Sequence, residues 1–213
     1  SYGFTVNSSN LTANSTNTFV AKVTDAVGNV GVSSSALSVA YDTVAPTVTG
    51  VTDNISASVT NAPITFTVTT SEALVGTVGV GNFTATNGTV TAVNTVDSTH
   101  YTVTVTPTSG VASGTVGLSL VGTGLTDAAG NAVVSTSLTG MDTQSIDTLA
   151  PNAPSAPTVI ATIASGISAA EGTSGFTVTV SLVGTNAVAG DTVSLAINGG
   201  TPLTHVLTSS EVT

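Results

Sequence analysis

The chain of 213 residues carries 11 Asp and Glu residues against a single Lys and no Arg, and its formal net charge is −10. One basic residue cannot neutralise a run of phosphate groups, so the composition argues against nucleic-acid binding and against a polybasic contact with membrane. No apolar stretch approaches the roughly 18 residues of a membrane span, so we expect no membrane insertion. The chain has no Cys, which excludes a disulfide framework and thiolate metal sites.

Thr makes up about a fifth of the residues, while 6% are charged and 4% are aromatic. β-Branched residues favour pleated, half-buried surfaces, and alternation of Val with Thr fits a sheet with one buried face and one wet face. The composition therefore predicts an all-β protein with many turns and a core of small aliphatic side chains.

The first 42 residues contain two predicted strands, Thr18–Thr24 and Gly31–Ala40, with a turn at Asp25–Asn29 between them. They correspond to the last two strands of a β-sandwich. Two strands leave an apolar face uncovered and are not stable alone. We therefore expect either a neighbouring domain of the same longer chain or another chain to complete this sandwich.

The central region contains seven predicted strands separated by turn signals, a number typical of an Ig-like β-sandwich. They are Thr47–Thr52, Ile64–Thr70, Thr77–Phe83, Thr89–Val93, Tyr101–Thr106, Val116–Val121 and Ala132–Leu138. The C-terminal region contains the front strands of a third sandwich. They are Val159–Ile163, Phe176–Val183, Thr192–Ile197 and Leu203–Leu207.

Two motifs recur in the same order and mark the domain boundaries. Thr24–Asn29 recurs 102 residues later as Thr126–Asn131, and Asp42–Pro46 recurs 105 residues later as Asp147–Pro151. A period near 100 residues is the size of one β-sandwich domain, and the Pro-containing Asp-Thr-x-Ala-Pro segments are typical of linkers. The sequence therefore predicts tandem Ig-like antiparallel β-sandwiches joined by short Pro-containing linkers. The predicted domains are 1–42, 43–147 and 148–213.

The sparse acidic side chains gather at one end of such a sandwich, because its strands alternate in direction. Glu72 lies in the loop after the second strand of the central domain, Asp97 in a later loop, and Asp127 with Asn131 in the last loop. Asp42 lies in the linker that enters at the same end. Carboxylates without Lys or Arg partners repel each other unless a cation lies among them. Oxygen ligands of this kind predict Ca²⁺.

A similar site is predicted at the next junction from Asp147 and Asp191, since Asp191 precedes a strand of the third domain. Asp53 lies in a loop at the end of the central domain that faces this junction. By the repeat, Asp25 and Asn29 hold the corresponding ligand positions in the preceding domain. The alternative interpretation of the Asp-Ala-x-Gly-Asn motif is a plain hairpin turn, in which Gly adopts a positive φ and Asp caps the local backbone.

These paired motifs resemble the tandem bacterial Ig-like domains of giant repetitive secreted adhesins, the type I–secreted, biofilm-associated surface proteins. Ser71–Ala73 followed by Tyr101–Pro107 is similar to one subtype of these repeats. Ala169–Glu171, Ala189–Val193 and Leu207–Thr208 are similar to another subtype. The resemblance covers essentially the whole chain.

The resemblance implies a secreted stalk on the bacterial cell surface whose linkers are stiffened by Ca²⁺. The ligand role carries over to Asp42, Asp127, Asn131 and Asp147, which match the motif positions. The second linker departs from the pattern, because Asn152 and extra prolines follow it.

We therefore expect a structural, non-enzymatic region of an adhesin or surface fibre that projects or links cells. His100 and His205 lie in strand-like runs, and no nucleophile, phosphate-binding or His-rich metal motif accompanies them. The alternative is a self-assembling surface-layer, sheath or filament subunit, in which identical chains complete the partial domains by strand addition.

Overall fold

Antiparallel strands make up nearly all of the regular structure in residues 1–159 and 166–212, the part of the chain that the computed structural model describes. The chain divides into two units, Ser1–Thr148 and Leu149–Thr213. The predicted all-β fold class is thereby confirmed. Within the described residues, no helix has the length and apolar character needed to cross a bilayer.

Residues 1–42 contain a pair of antiparallel strands, β1 (Ser15–Phe19) and β2 (Leu37–Tyr41), after a 3₁₀ turn at Ser8–Asn10. A strand pair is present as predicted, but the bounds differ: β1 overlaps the predicted Thr18–Thr24 only at Thr18 and Phe19, and β2 begins at Leu37 rather than at Gly31. The repeated turn at Asp25–Asn29 lies on the connection between them. Most apolar side chains of this region are exposed, as expected for two strands without a covering sheet.

The central domain forms two facing sheets. Its strands, in chain order, are β3 (Val48–Asp53), β4 (Ile64–Thr70), β5 (Phe83–Ala85), β6 (Gly88–Thr95), β7 (His100–Pro107), β8 (Gly114–Leu120), β9 (Thr136–Ser137) and β10 (Thr143–Ile146). One sheet has the order β3-β4-β7-β6 and the other has the order β10-β8-β5, with β9 also paired to β8. This two-layer arrangement is the predicted Ig-like sandwich.

Alternation along the strands builds the core between these sheets. In β4, Ile64, Phe66 and Val68 are buried while the Thr residues between them face outward. Leu118 and Leu120 of β8 belong to the same buried cluster and approach from the other sheet. Burying one such side chain fully is worth about 1.5–3 kcal/mol, so the apolar phase of each strand fixes which face turns inward.

In the central domain, two of the predicted strands differ most from the structure. The segment predicted as Thr77–Phe83 contains a 3₁₀ turn at Val80–Asn82, and only β5 after it is extended. Glycines interrupt this segment, and Gly76 before it has a φ of +114°. The predicted strand Ala132–Leu138 is reduced to the two residues of β9.

The strand β10 was not predicted from the sequence. Its residues, Thr143–Ile146, are mostly polar, so the apolar alternation that marks other strands is absent. Gln144 and Ile146 are nevertheless buried. The Gln144 side chain is satisfied by donating to the main-chain oxygens of Ala57 (3.1 Å) and Ser145 (3.0 Å), and a buried amide with partners costs little.

The second unit contains two small antiparallel pairs and a short helix. Its elements are β11 (Thr158–Val159), α1 (Ala169–Ser174), β12 (Val178–Thr179), β13 (Thr192–Leu195) and β14 (Leu203–Val206). β11 pairs with β12 and β13 pairs with β14. Of the predicted strand Val159–Ile163, the residues after Val159 lie outside the described residues.

The helix α1 was not predicted, although its signal is present in the sequence. Ser168 caps it and Glu171 returns a side-chain bond to the Ser168 main chain at 2.9 Å. This S-x-x-E pattern is a capping box. No long apolar period follows this capping box, so the pattern alone does not predict a helix.

Candidate metal centre at the first linker

Three carboxylates meet where the linker enters the central domain. Asp42, Glu72 and Asp127 each offer one oxygen atom, and these atoms all lie within 4.8 Å of one another. Asp42 directly follows β2, Glu72 follows β4, and Asp127 lies in the loop between β8 and β9. The topology thus brings together residues that are up to 85 positions apart in the sequence.

Asp127 is held in a closed turn and is only 3% exposed. The Asn131 main-chain N–H donates to Asp127 Oδ1 (2.8 Å), and the Asn131 side-chain NH₂ donates to Oδ2 (2.7 Å). Gly130 completes the turn with a φ of +96°, a conformation that favours glycine. The turn fixes the position of the carboxylate before any ligand is considered.

The first copy of the motif has the same turn. Asn29 donates from its main chain (2.8 Å) to Asp25 Oδ1 and from its side chain (2.7 Å) to Oδ2, and Gly28 has a φ of +98°. Both copies therefore have the hairpin-turn geometry of the alternative interpretation. They differ in surroundings, because Asp25 is exposed and no acidic cluster forms around it within the described residues.

The turn in the central domain also holds the linker. The Asn131 side chain donates to the main-chain oxygen of Asp42 at 3.3 Å. The Val44 main-chain N–H donates to Asp42 Oδ1 at 3.0 Å. Asp42 therefore has its carboxylate and its carbonyl fixed on the side that faces Asp127.

Within the cluster, the pKa of Glu72 and the pKa of Asp127 are shifted in opposite directions. Burial, and then the negative charges of Asp127 and Asp42, raise the pKa of Glu72. Burial is the largest single effect on Asp127 and pushes its pKa upward, but the hydrogen bonds from Asn131, Gly130 and Ala129 together lower the pKa overall. Both ion pairs within the described residues involve His, at Asp97 and Glu211, so neither neutralises this cluster.

Asp97 lies apart from the cluster in its own turn. Its carboxylate accepts from the main-chain N–H groups of Thr99 (2.8 Å) and His100 (2.9 Å), and His100 Nδ1 is 2.9 Å away. Bonds from the Thr99 main chain and the His100 side chain lower the pKa of Asp97 to about 2. The sequence placed Asp97 in the loop between β6 and β7, as observed, but predicted that it joins the acidic cluster, which it does not.

Asp53 likewise caps its own loop. Its Oδ1 accepts from the Ile55 main-chain N–H at 2.6 Å, and its own N–H donates to Asp142 Oδ2 at 2.8 Å. Asp142 was not singled out from the sequence, because no repeat marks it.

The two acids predicted for the second junction lie in different units. The Asp147 main-chain N–H donates to the Thr60 oxygen at 3.1 Å. Asp191 Oδ2 accepts from the Val188 main-chain N–H at 2.9 Å. A shared site for Asp147 and Asp191 stays a prediction.

Comparison with known proteins bears on the same region. Residues 42–144 match the family model of the bacterial Ig-like domain. The crystal structure of the N-terminal part of the bacterial S-layer protein SbsC is similar at 20% identity and a TM-score of 0.31, over 55% of this chain and 26% of that chain. A TM-score of that size does not establish a common fold. A comparison with curated proteins gave no match.

The match begins at Asp42 and includes Glu72, Asp127 and Asn131. Residues 42–144, which fold as the two-sheet sandwich and carry the acidic cluster, are therefore similar to a bacterial Ig-like domain.

Proposed function

We propose that the chain is a structural repeat region of an extracellular bacterial adhesin or surface fibre, in which Ca²⁺ at the linkers sets the angle between successive domains. The observation that supports this most directly is the convergence of Asp42 from the linker with Glu72 and Asp127 from the domain that the linker enters. An ion bound by all three ties the linker to that domain at a second point.

The donor set fits Ca²⁺. All three side chains offer carboxylate oxygens, the ligands that hard cations prefer. Two ligands on opposite sides of Ca²⁺ are separated by about 4.8 Å, because each Ca–O distance is about 2.4 Å. The ligand atoms of the cluster all lie within 4.8 Å of one another, so one ion reaches all of them with little rearrangement.

Each residue has a distinct part in this proposal. Asp42 brings the linker, and Asp127 supplies a buried carboxylate in a fixed position. Asn131 donates its NH₂ to Asp127 and to the Asp42 main chain, so it positions these groups. Glu72 gains most from the ion, because neighbouring negative charges contribute to its raised pKa.

Linker stiffness follows from charge. Without a cation the three carboxylates repel each other, which favours separation of the linker from the domain. With a cation the repulsion becomes a shared coordination shell. Extracellular Ca²⁺ modules bind at about 10⁻⁴–10⁻³ M, so millimolar extracellular Ca²⁺ fills much of such a site.

Terbium luminescence tests the site, since Tb³⁺ is a hard cation that replaces Ca²⁺ and is sensitised by a nearby Tyr. Tyr41 directly precedes Asp42. We expect saturable luminescence that Ca²⁺ displaces and that Asp127→Asn abolishes. Asp25→Asn is the matched control, because it alters the same turn without the acidic neighbours. Equal Tb³⁺ affinity in the two variants contradicts the proposed site.

A further inference from the structure

We propose that the threonine of each Asp-Thr-x-Ala-Pro linker, Thr43 and Thr148, anchors the linker to the domain that it leaves, and that this anchor needs no metal ion. The inference rests on the proposed function, because it concerns the same linkers. It adds an attachment to the preceding domain, whereas the acidic cluster at the first linker includes Glu72 and Asp127 of the domain that follows.

The anchor of Thr43 is a single asparagine. Both the main-chain N–H (2.9 Å) and the hydroxyl (3.0 Å) of Thr43 donate to Asn14 Oδ1. Asn14 has a φ of +54°, a left-handed conformation that Asn tolerates better than most residues. It immediately precedes β1, so the linker is tied to the strand pair of residues 1–42.

The anchor of Thr148 uses main-chain groups instead. Its N–H donates to the Val111 oxygen (2.7 Å), and its hydroxyl donates to the Thr108 oxygen (2.6 Å). The Val111 N–H donates back to the Thr148 hydroxyl (2.9 Å), and the Gly110 N–H donates to the Thr148 oxygen (3.2 Å). The loop that encloses Thr148 leads into β8.

Strand register makes the two anchors equivalent. Tyr41 at the end of β2 pairs with Ser15 at the start of β1, and the linker threonine follows two residues later. Ile146 at the end of β10 pairs with Gly114 at the start of β8, and again the threonine follows two residues later. The last strand of each domain therefore delivers the threonine to the loop that precedes its partner strand.

Threonine suits this place because its hydroxyl both donates and accepts, and its branched Cβ restricts χ1. Valine has the same shape but no hydroxyl group, so it would keep the main-chain bonds of either threonine and lose the hydroxyl bonds. At the first linker the neighbouring residue faces the other way, since the Asp42 main chain accepts from Asn131 of the central domain. At the first linker, Asp42 is therefore bonded to the central domain and Thr43 to the strand pair of residues 1–42, and the two residues are consecutive in the sequence.

The first anchor is tested by the width of a distance distribution between two spin labels. The chain has no Cys, so labels at Ser33→Cys and Thr106→Cys, both exposed positions, report on residues 1–42 against the central domain. We expect Asn14→Gly to broaden the distribution at least about twofold, both with Ca²⁺ and with EDTA. Asn14→Gly retains the positive φ and removes only the acceptor.

Asn14→Asp is the matched control, because it keeps an acceptor oxygen, and its distribution should stay narrow. An Asn14→Gly distribution as narrow as that of the native chain overturns the anchor. Failure of the Ca²⁺ proposal has a different signature: Glu72→Gln would then leave the distribution unchanged in Ca²⁺, while Asn14→Gly would still broaden it.

The second anchor is tested by amide hydrogen exchange at Val111 in Thr148→Val and Thr148→Ser. Loss of the hydroxyl should speed Val111 exchange about 2- to 10-fold, the factor carried by one hydrogen bond of ordinary net strength. Thr148→Ser should exchange at the native rate. Exchange of Phe66, in the central β4 strand, reports global folding in all three proteins. Equal Val111 rates in Thr148→Val and the native chain overturn the anchor.

Discussion

The two copies of the Asp-Ala-x-Gly-Asn motif show how far a single residue's role depends on its surroundings. Asp25 and Asp127 accept the same pair of bonds from an asparagine four positions later. Only Asp127 is buried and faces two further carboxylates. The turn is therefore encoded locally in the motif, whereas the acidic cluster depends on the sandwich that carries it.

The substitution Glu72→Gln should change thermal stability in opposite directions with and without Ca²⁺. In EDTA, Glu72→Gln should raise the melting temperature, because it removes a charge repelled by Asp127 and Asp42. In 10 mM Ca²⁺ the native chain should gain about 1.4–2.7 kcal/mol, the linkage expected for a dissociation constant of 10⁻³–10⁻⁴ M. The variant should lose most of that gain. Calorimetry in which Glu72→Gln shifts the melting temperature in the same direction in EDTA and in Ca²⁺ would contradict the proposed site.

The metal-free chain should also show a pH dependence from Glu72. A raised folded-state pKa means that the folded chain binds this proton more tightly than the unfolded chain. The contribution of Glu72 is then most favourable below its ordinary pKa of 4.5 and falls as pH rises through the raised value. Glu72→Gln should flatten this part of the stability curve in EDTA. An unchanged curve in denaturant titrations would refute the assignment.

Asp97 should behave in the opposite way. Its pKa is lowered to about 2 by bonds from the Thr99 main chain and the His100 side chain. Its stabilising contribution is therefore complete above the ordinary value of 3.8 and is lost as pH falls through about 2. We expect an NMR titration midpoint near 2 for this carboxyl group and unchanged Ca²⁺ affinity in Asp97→Asn. A midpoint near 3.8 contradicts the turn geometry.

Among the elements, strands with strict alternation were accessible from sequence and the others were not. β4 was predicted with its observed bounds, because Ile64, Phe66 and Val68 alternate with Thr. β10 was missed because its inward residues include Gln144, whose burial depends on main-chain partners far away in sequence. Local alternation shows which residues of a strand face the core. The pairing of polar segments that are distant in sequence is determined only in the folded domain.

Phe66 and Thr67 form a matched pair for testing the two faces of β4. Phe66 is fully buried in the core, whereas Thr67 faces outward. Phe66→Ala should destabilise the central domain by about 3–5 kcal/mol, and Thr67→Ala by less than about 1 kcal/mol. Urea denaturation measures both. Similar losses for the two variants would show that the assigned faces are wrong.

The edges of the larger sheet bear on the alternative of assembly by strand addition. Register shifts occur in both edge strands, between Val48 and Gly50 in β3 and between Val90 and Ala92 in β6. Such irregularities twist an edge and hinder pairing with another chain. This sheet is therefore poorly suited to edge-to-edge polymerisation through the central domain.

At the level of the whole molecule, the first linker is held from both sides, by Asn14 of residues 1–42 and by Asn131 of the central domain. Sequence reasoning located the acidic junction from strand direction alone and placed Asp42, Glu72 and Asp127 at one end. It did not separate Asp97 from them, because loop conformation decides which side chains in that end face each other. It also gave no sign of Asn14, since a side chain that anchors a linker carries no periodic pattern.

Small-angle scattering of the full chain in Ca²⁺ and in EDTA measures whether Ca²⁺ stiffens the linker. We expect a longer maximum dimension with Ca²⁺ and a shorter, broader distance distribution after chelation, with Asp127→Asn resembling the chelated state in both buffers. Superimposable scattering profiles of the native chain with and without Ca²⁺ would contradict the account.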